Sequence, residues 1–185
     1  MVSLVSLWLP ILLGTVLVFI VSSIIHMVFK YHQNDYLKVP NEDAVRDAIR
    51  PLNIPPGDYV LPIPADAKDM GTPEYQNKVI EGPVVFMTVF PNQPFAMGKQ
   101  LALWFIYSVI VSIFAGYLAS RTLTAGEDYL QVFRVTGTVA FAGYGLALLQ
   151  RSIWFGQSWS ATAKSVFDAL IYACFTAGAF GWLWP

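Results

Sequence analysis

Apolar positions gather into four long runs, Leu4 to Phe29, Leu101 to Ala119, Leu130 to Leu149 and Ser165 to Trp184, with one extended polar stretch after the first. Each run is near the ~20 residues that a helix needs to cross about 30 Å of hydrocarbon. The pattern predicts an all-α membrane protein. Its architecture would be a bundle of four transmembrane helices with a small α+β polar segment between spans one and two. Residues 1–29 form the first transmembrane helix, 30–97 the polar extramembrane segment, and 98–185 transmembrane helices two to four. The third run is the most diluted, by Arg134 near one end and by Gly137, Gly143 and Gly145. Glycine is commoner in membrane helices than in soluble ones, which tempers that objection. Pro10 falls one or two turns into the first run, where it either kinks the helix or marks the interface.

Aromatic residues sit at the run ends as a membrane belt requires. Trp8, Tyr117, Tyr129, Trp182 and Trp184 fall on one side, and Tyr31, Trp104, Trp154 and Trp159 on the other. Basic residues near the ends set the orientation. Lys30, Lys38, Lys99, Arg151 and Lys164 flank the face bearing the long polar segment, against Arg121 and Arg134 opposite. The polar segment is therefore expected in the cytoplasm and both termini outside. No Lys or Arg precedes the first run, which is also about twice as long as the core of a secretory signal, so it reads as a retained anchor.

The polar segment holds 10 of the 12 prolines and 9 of the 12 acidic residues, so it is frequently interrupted but not of low complexity. Asn41 as cap, Glu42 and Asp43 in a first turn, and Arg46 and Arg50 before Pro51 predict a short helix. Thr72 as cap and Pro73 at the first helical position predict a second, ending near Gly82. Tyr59 to Leu61 and Val84 to Phe90, β-branched and aromatic between Pro and Gly, predict two strands that pair as a hairpin-like sheet. A segment this short would be marginal alone.

Composition reinforces the membrane reading: of 185 residues, 56% are apolar and 12% charged, whereas about a quarter are charged in soluble proteins. A formal charge of −1 provides no basic field, so no nucleic-acid partner is expected. Cys174, the only cysteine, excludes an internal disulfide and reads as a small buried hydrophobe.

Membrane helices associate through small residues that let backbones approach, because lipid tails are as apolar as leucine. Ser108, Ser112, Gly116 and Ser120 recur every four residues in the second span, and Ala169, Ala173, Ala177 and Gly181 in the fourth. Both stripes are expected to be packing faces, against each other or against another subunit, unless they merely reflect the ordinary composition of membrane helices. Phe105, Phe114, Phe133 and Phe141 would then face lipid or a larger assembly.

Ionisable groups at membrane depth are the default functional candidates, and here they are His26, Arg134 and Asp168. His26 and His32 lie six positions apart, about 240° around and ~9 Å along a continuous helix, and so would not ligate one ion together. Haem ligation by His26 with a Met partner is a remote alternative, since no other span supplies a histidine. Arg134 and Asp168 start their helices on opposite membrane faces and would not meet; Arg134 is expected to snorkel or to pair with Glu127 or Asp128, and Asp168 has Lys164 one turn behind it. Asp66, Asp69 and Glu74 read as a solvated acidic turn, because their spacing matches no calcium loop. Nucleotide-binding, nucleophile-elbow and zinc-protease motifs are absent. No catalytic residue, metal or cofactor is thus expected.

The stretch His26 to His32, the helix start Pro40 to Arg46, the turn Gly82-Pro83-Val84 and the ending Gly181-Trp182-Leu183-Trp184-Pro185 resemble a family of small uncharacterised bacterial four-span inner-membrane proteins without an established function. The resemblance implies a bacterial inner-membrane setting and no mechanism. The expected function is that of a non-enzymatic accessory or scaffolding subunit, whose partners are the lipid bilayer and other membrane-protein subunits or further copies of the chain. The alternative is a small homo-oligomeric transporter or channel.

Overall fold

The computed structural model describes residues 2–94 and 96–185. In chain order they form α1 (Trp8–Met27), α2 (Glu42–Ile49), β1 (Gly57–Leu61), α3 (Pro73–Glu81), β2 (Val85–Val89), α4 (Gly98–Thr122), α5 (Tyr129–Tyr144), α6 (Leu149–Phe155) and α7 (Trp159–Trp182). The chain divides into two compact units, Met1–Leu37 with Ala96–Pro185, and Lys38–Phe95. Residues 30–37 thus group with the helical unit and 38–95 form the smaller one.

Four stretches of that unit are long and apolar enough to cross a membrane: Leu4–Met27, Gly98–Thr122, Tyr129–Phe155 and Trp159–Trp182. α1 packs between α4 and α7, and α5 closes the ring on the far side of the same two helices. The small-residue stripes line this interior. Ser108, Ser112, Gly116, Ser120, Ala169, Ala173 and Ala177 are buried, and Gly181 is half-buried. α4 and α7 are diagonal rather than adjacent, so each stripe lies mainly against its two flanking helices. A methyl group added at Gly137 of α5 would lie 3.1 Å from Ala177 Cβ, and one at Gly143 would lie 3.1 Å from Val111 of α4. Across the diagonal, the buried Phe180 ring fills the space over Gly116.

The third apolar stretch is interrupted, as its glycines foreshadow. α5 ends at Tyr144, Leu146–Leu148 make a single tight turn, and α6 follows. Gly145 permits the break: a Cβ there would sit 3.0 Å from Ala169 Cβ and 3.1 Å from the Phe141 carbonyl oxygen. Asp128 caps α5, its carboxylate accepting from Leu130 N–H at 2.9 Å. Pro10 lies in the first turn of α1, where its missing N–H would have no helical acceptor.

The outward faces carry large apolar side chains such as Ile20, Ile106, Ile110, Phe114, Phe167 and Leu170. Of the four phenylalanines expected to point outward, only Phe114 is exposed. Phe105 packs edge-on to Phe19 at 5.6 Å, Phe133 lies beside Tyr129 at 5.9 Å, and Phe141 packs on the core. Cys174 is exposed on α7 rather than buried.

The smaller unit is a two-stranded antiparallel sheet with Gly57 opposite Val89 and Leu61 opposite Val85, accompanied by α2 and α3. Thr72 Oγ1 accepts from Tyr75 N–H and caps α3 as its sequence predicts. Asn41 precedes α2 in a left-handed conformation (φ 50°), and its side chain makes no cap bond. Asp66 and Asp69 accept backbone N–H groups of their own turn, and Glu74 pairs with Lys78, consistent with a solvated acidic turn. None of the described residues in this unit is buried.

Candidate functional site

The last turns of α1 place Ser22, Ser23 and His26 in one cavity wall with Ser165, Asp168 and Tyr172 of α7, the His26 ring exposed. α1 then stops instead of running on. Val28 and Phe29 N–H groups both return to the Ile24 carbonyl, Phe29 is extended (φ −85°, ψ 115°), and Lys30–His32 form one tight turn. The reversal lays the His32 ring against that of His26, with centroids 4.9 Å apart and planes within 4° of parallel. The opposite expectation assumed that one helix continued through both residues. It fails because the helix ends between them.

α7 holds this hook with two side chains one turn apart. Lys164 Nζ donates to Asp35 Oδ1 and to the Tyr31 carbonyl, each at 2.7 Å. Asp168, 3% exposed, accepts from the Tyr31 hydroxyl on Oδ1 and from His32 Nε2 on Oδ2, the latter at 2.7 Å. Lys164 thus serves Asp35 and not Asp168, as a partner one turn away would have suggested. His32 Nδ1 meets Asp35 Oδ2 at 2.5 Å, so both imidazole nitrogens face carboxylates. Ionised carboxylates only accept, and His32 therefore donates from both nitrogens as an imidazolium. Two carboxylates, one ammonium and one imidazolium then balance to zero, which makes the burial of Asp168 tolerable.

Electrostatics follow this arrangement. Partial burial by itself would lower the His32 pKa, but the hydrogen bonds and charges of Asp35 and Asp168 outweigh it, and the pKa stands above its ordinary value. Burial would raise that of Asp35, yet hydrogen bonds from Lys164 and His32 hold it below the usual carboxylate range. Tyr31 is held protonated, its pKa raised by burial and by donation to Asp168.

His26 is fixed by a different acceptor. Its Nδ1 lies 2.9 Å from the Ser22 carbonyl oxygen, which cannot donate, so Nδ1 carries a proton. In the neutral ring this leaves the Nε2 lone pair unused. One ligand atom from each of His26, His32 and Asp168 lies within 4.8 Å of the other two.

Beside this cluster opens a cavity of about 550 Å³ in the helical unit. Phe19, Met27, Met97, Leu101, Trp104 and Leu148 make most of its wall apolar, while His26, Asp168, Gln100 and Ser165 bring polar groups to it. Trp104 Nε1 donates to Ser22 Oγ at 2.8 Å, and its ring meets those of Tyr144 and Tyr172 at 6.0 and 5.7 Å. Tyr144 and Tyr172 are both more than nine-tenths buried and line the cavity; Tyr144 lies against the hydroxyls of Ser108 and Thr176, whereas the Tyr172 hydroxyl makes no hydrogen bond among the described residues. A buried hydroxyl without a partner costs ~1–3 kcal/mol, so that of Tyr172 marks a place prepared for a polar group.

Of the three ionisable candidates, the fold brings together His26 and Asp168 and leaves Arg134 apart. Arg134 is exposed on α5 with Gln131 Oε1 at 3.4 Å, and among the described residues it forms no ion pair. The acidic partners expected for it are otherwise engaged, Glu127 by Thr124 and Asp128 at its cap. Tyr31, Asp35, Lys164, Trp104 and Tyr172 were missing from the sequence-level candidates. A readable signal existed in the run Tyr31-His32-Gln33-Asn34-Asp35 just past the first span, and in Lys164 and Asp168 at helical spacing. Compared with protein-family models, curated proteins and solved structures, the chain matches none.

Proposed function

We propose that the helical unit is a multi-pass membrane bundle that binds a membrane-soluble amphiphile. The head of the ligand would accept a hydrogen bond from the Tyr172 hydroxyl, and its apolar body would lie along Phe19, Leu101, Trp104 and Leu148. The observation that carries this reading is the cavity of about 550 Å³, mostly apolar in lining, with the buried and unpartnered phenol of Tyr172 in its wall. A ligand site of this kind is concave, largely apolar and preformed, with few oriented polar groups. Four apolar helices with outward aliphatic faces support the membrane setting. The basic residues Lys30, Lys38, Lys99 and Arg151 support a cytoplasmic polar segment, and the family resemblance supports a bacterial inner membrane. The role is one of binding rather than catalysis, compatible with an accessory subunit of a larger assembly.

Native mass spectrometry of protein extracted in mild detergent tests the reading. The expected result is one tightly held amphiphile per chain, lost when Ser23→Phe fills the cavity. A parent protein that carries no small molecule and gains no thermal stability from any added amphiphile overturns it.

A further inference from the structure

We infer that His26, His32 and Asp168 form a binding site for a divalent transition-metal ion, with a coordination position open to the cavity. Ligand atoms from all three side chains already lie within 4.8 Å of one another. Bonds of about 2.0–2.1 Å to nitrogen and oxygen require ligand atoms ~3.3 Å apart in a tetrahedral site, so closure calls for the His26 ring, stacked parallel on His32, to turn about its side-chain bonds, which its exposed position allows.

The surroundings of each ligand are those a metal site needs. A coordinating imidazole is held by a bond from its other ring N–H to a carboxylate or carbonyl, which fixes ring orientation and tautomer. His26 donates from Nδ1 to the Ser22 carbonyl, and His32 Nδ1 faces Asp35, itself anchored by Lys164. Each ring thus keeps Nε2 for a ligand, and turning His26 out of its stack on His32 brings the two lone pairs to one point. Asp168 offers Oδ2 on the His32 side while Tyr31 holds Oδ1, which suits a single-oxygen ligand. On binding, the ion replaces the proton between His32 Nε2 and Asp168, and that proton is released. Two imidazoles and one carboxylate with a fourth, open position are a donor set for four-coordinate zinc, not for calcium or magnesium.

A second observation points to a ligand at the same place. Tyr172, one helical turn beyond Asp168, is 5% exposed and lines the cavity with His26 and Asp168, and its hydroxyl is unpartnered. A water or anion on the open metal position would give it a partner. The inference rests on these side chains and not on which amphiphile fills the cavity.

Cobalt(II) titration of tag-free, chelator-treated protein in detergent tests it. Expected are one saturable equivalent, intense visible d–d bands of a four- or five-coordinate ion, and displacement by Zn²⁺. His26→Gln should weaken binding by at least about 100-fold, and Asp35→Asn by about 10–100-fold through loss of ring orientation. His26 is exposed, and among the described residues it makes one hydrogen bond and a ring stack on His32, so the thermal midpoint of its variant should fall only slightly below that of the parent; should His26→Gln unfold, Asp35→Asn carries the test. Absence of saturable binding, a purely octahedral spectrum, or unchanged affinity in the folded variants overturns the proposal. Failure to find a bound amphiphile leaves these outcomes unaffected.

Discussion

Lys164 and Asp168, one turn apart on α7, grip three residues of the reversal after α1: Lys164 binds Asp35 and the Tyr31 carbonyl, and Asp168 binds Tyr31 and His32. The grip is what converts an ordinary helix end into a defined cluster beside the cavity.

Removing the cation should loosen it. Lys164→Met deletes two hydrogen bonds and leaves the half-buried Asp35 carboxylate with His32 alone. A loss of about 1.5–3 kcal/mol is expected, the range for hydrogen bonds to charged groups. Equilibrium unfolding in detergent measures it, and a double-mutant cycle with Asp35→Asn should show strong coupling. Additive effects would mean that the pair does not hold the hook.

The cluster also predicts how stability varies with pH in metal-free protein. The groups facing His32 are Asp35 beside it, Tyr31 before it, His26 on its ring face, and Asp168 and Lys164 from α7. The folded-state pKa of His32 is raised, so its contribution is complete below the ordinary value of 6.5 and is lost as pH rises through the folded value. That of Asp35 is lowered, so its contribution is complete above the ordinary 3.8 and is lost as pH falls through the folded value. Thermal midpoints should therefore be highest between about pH 4 and 6.5 and decline above that window. His32→Gln should flatten the alkaline decline, and an unchanged slope in that variant would exclude His32 as its source.

Two glycines should respond in opposite directions to the same substitution. Gly145→Ala forces a methyl against Ala169 and the Phe141 carbonyl at 3.0–3.1 Å, and overpacking of this kind costs about 1–3 kcal/mol. Gly14→Ala meets nothing closer than 3.5 Å inside α1, so restricting the unfolded chain should make it neutral or stabilising by up to ~1 kcal/mol. Matching thermal midpoints for the two variants would show that Gly145 is not a tight contact.

The smaller unit should be marginal by itself. Its described residues include none that is buried, and a two-stranded sheet is at best marginal in water. A fragment spanning 38–95 is expected to show no cooperative thermal transition by circular dichroism. A sharp transition would mean that its core suffices without help.

Much of the fold was legible because it depends on short-range terms. Run length and apolar content locate the long helices, and Thr72-Pro73 marks the start of α3. β-Branched and aromatic residues between Pro and Gly mark both strands. Small residues at four-residue spacing become the buried faces of α4 and α7, because spacing along a helix decides which side chains share a side. The choice of neighbours for those faces was not legible, since either stripe is equally compatible with any close helix.

The candidate site divides in the same way. Sequence by itself determined which ionisable side chains lie at the apolar boundary, because leaving one there unpaired costs free energy whatever the neighbours are. It also placed Lys164 and Asp168 on one side of one helix. Only the tertiary structure decided that α1 stops at Met27 and turns back, stacking His32 on His26 and delivering it to Asp168. Helical periodicity applies only while the helix continues, and here its end is fixed by bonds to α7, more than a hundred residues away along the chain.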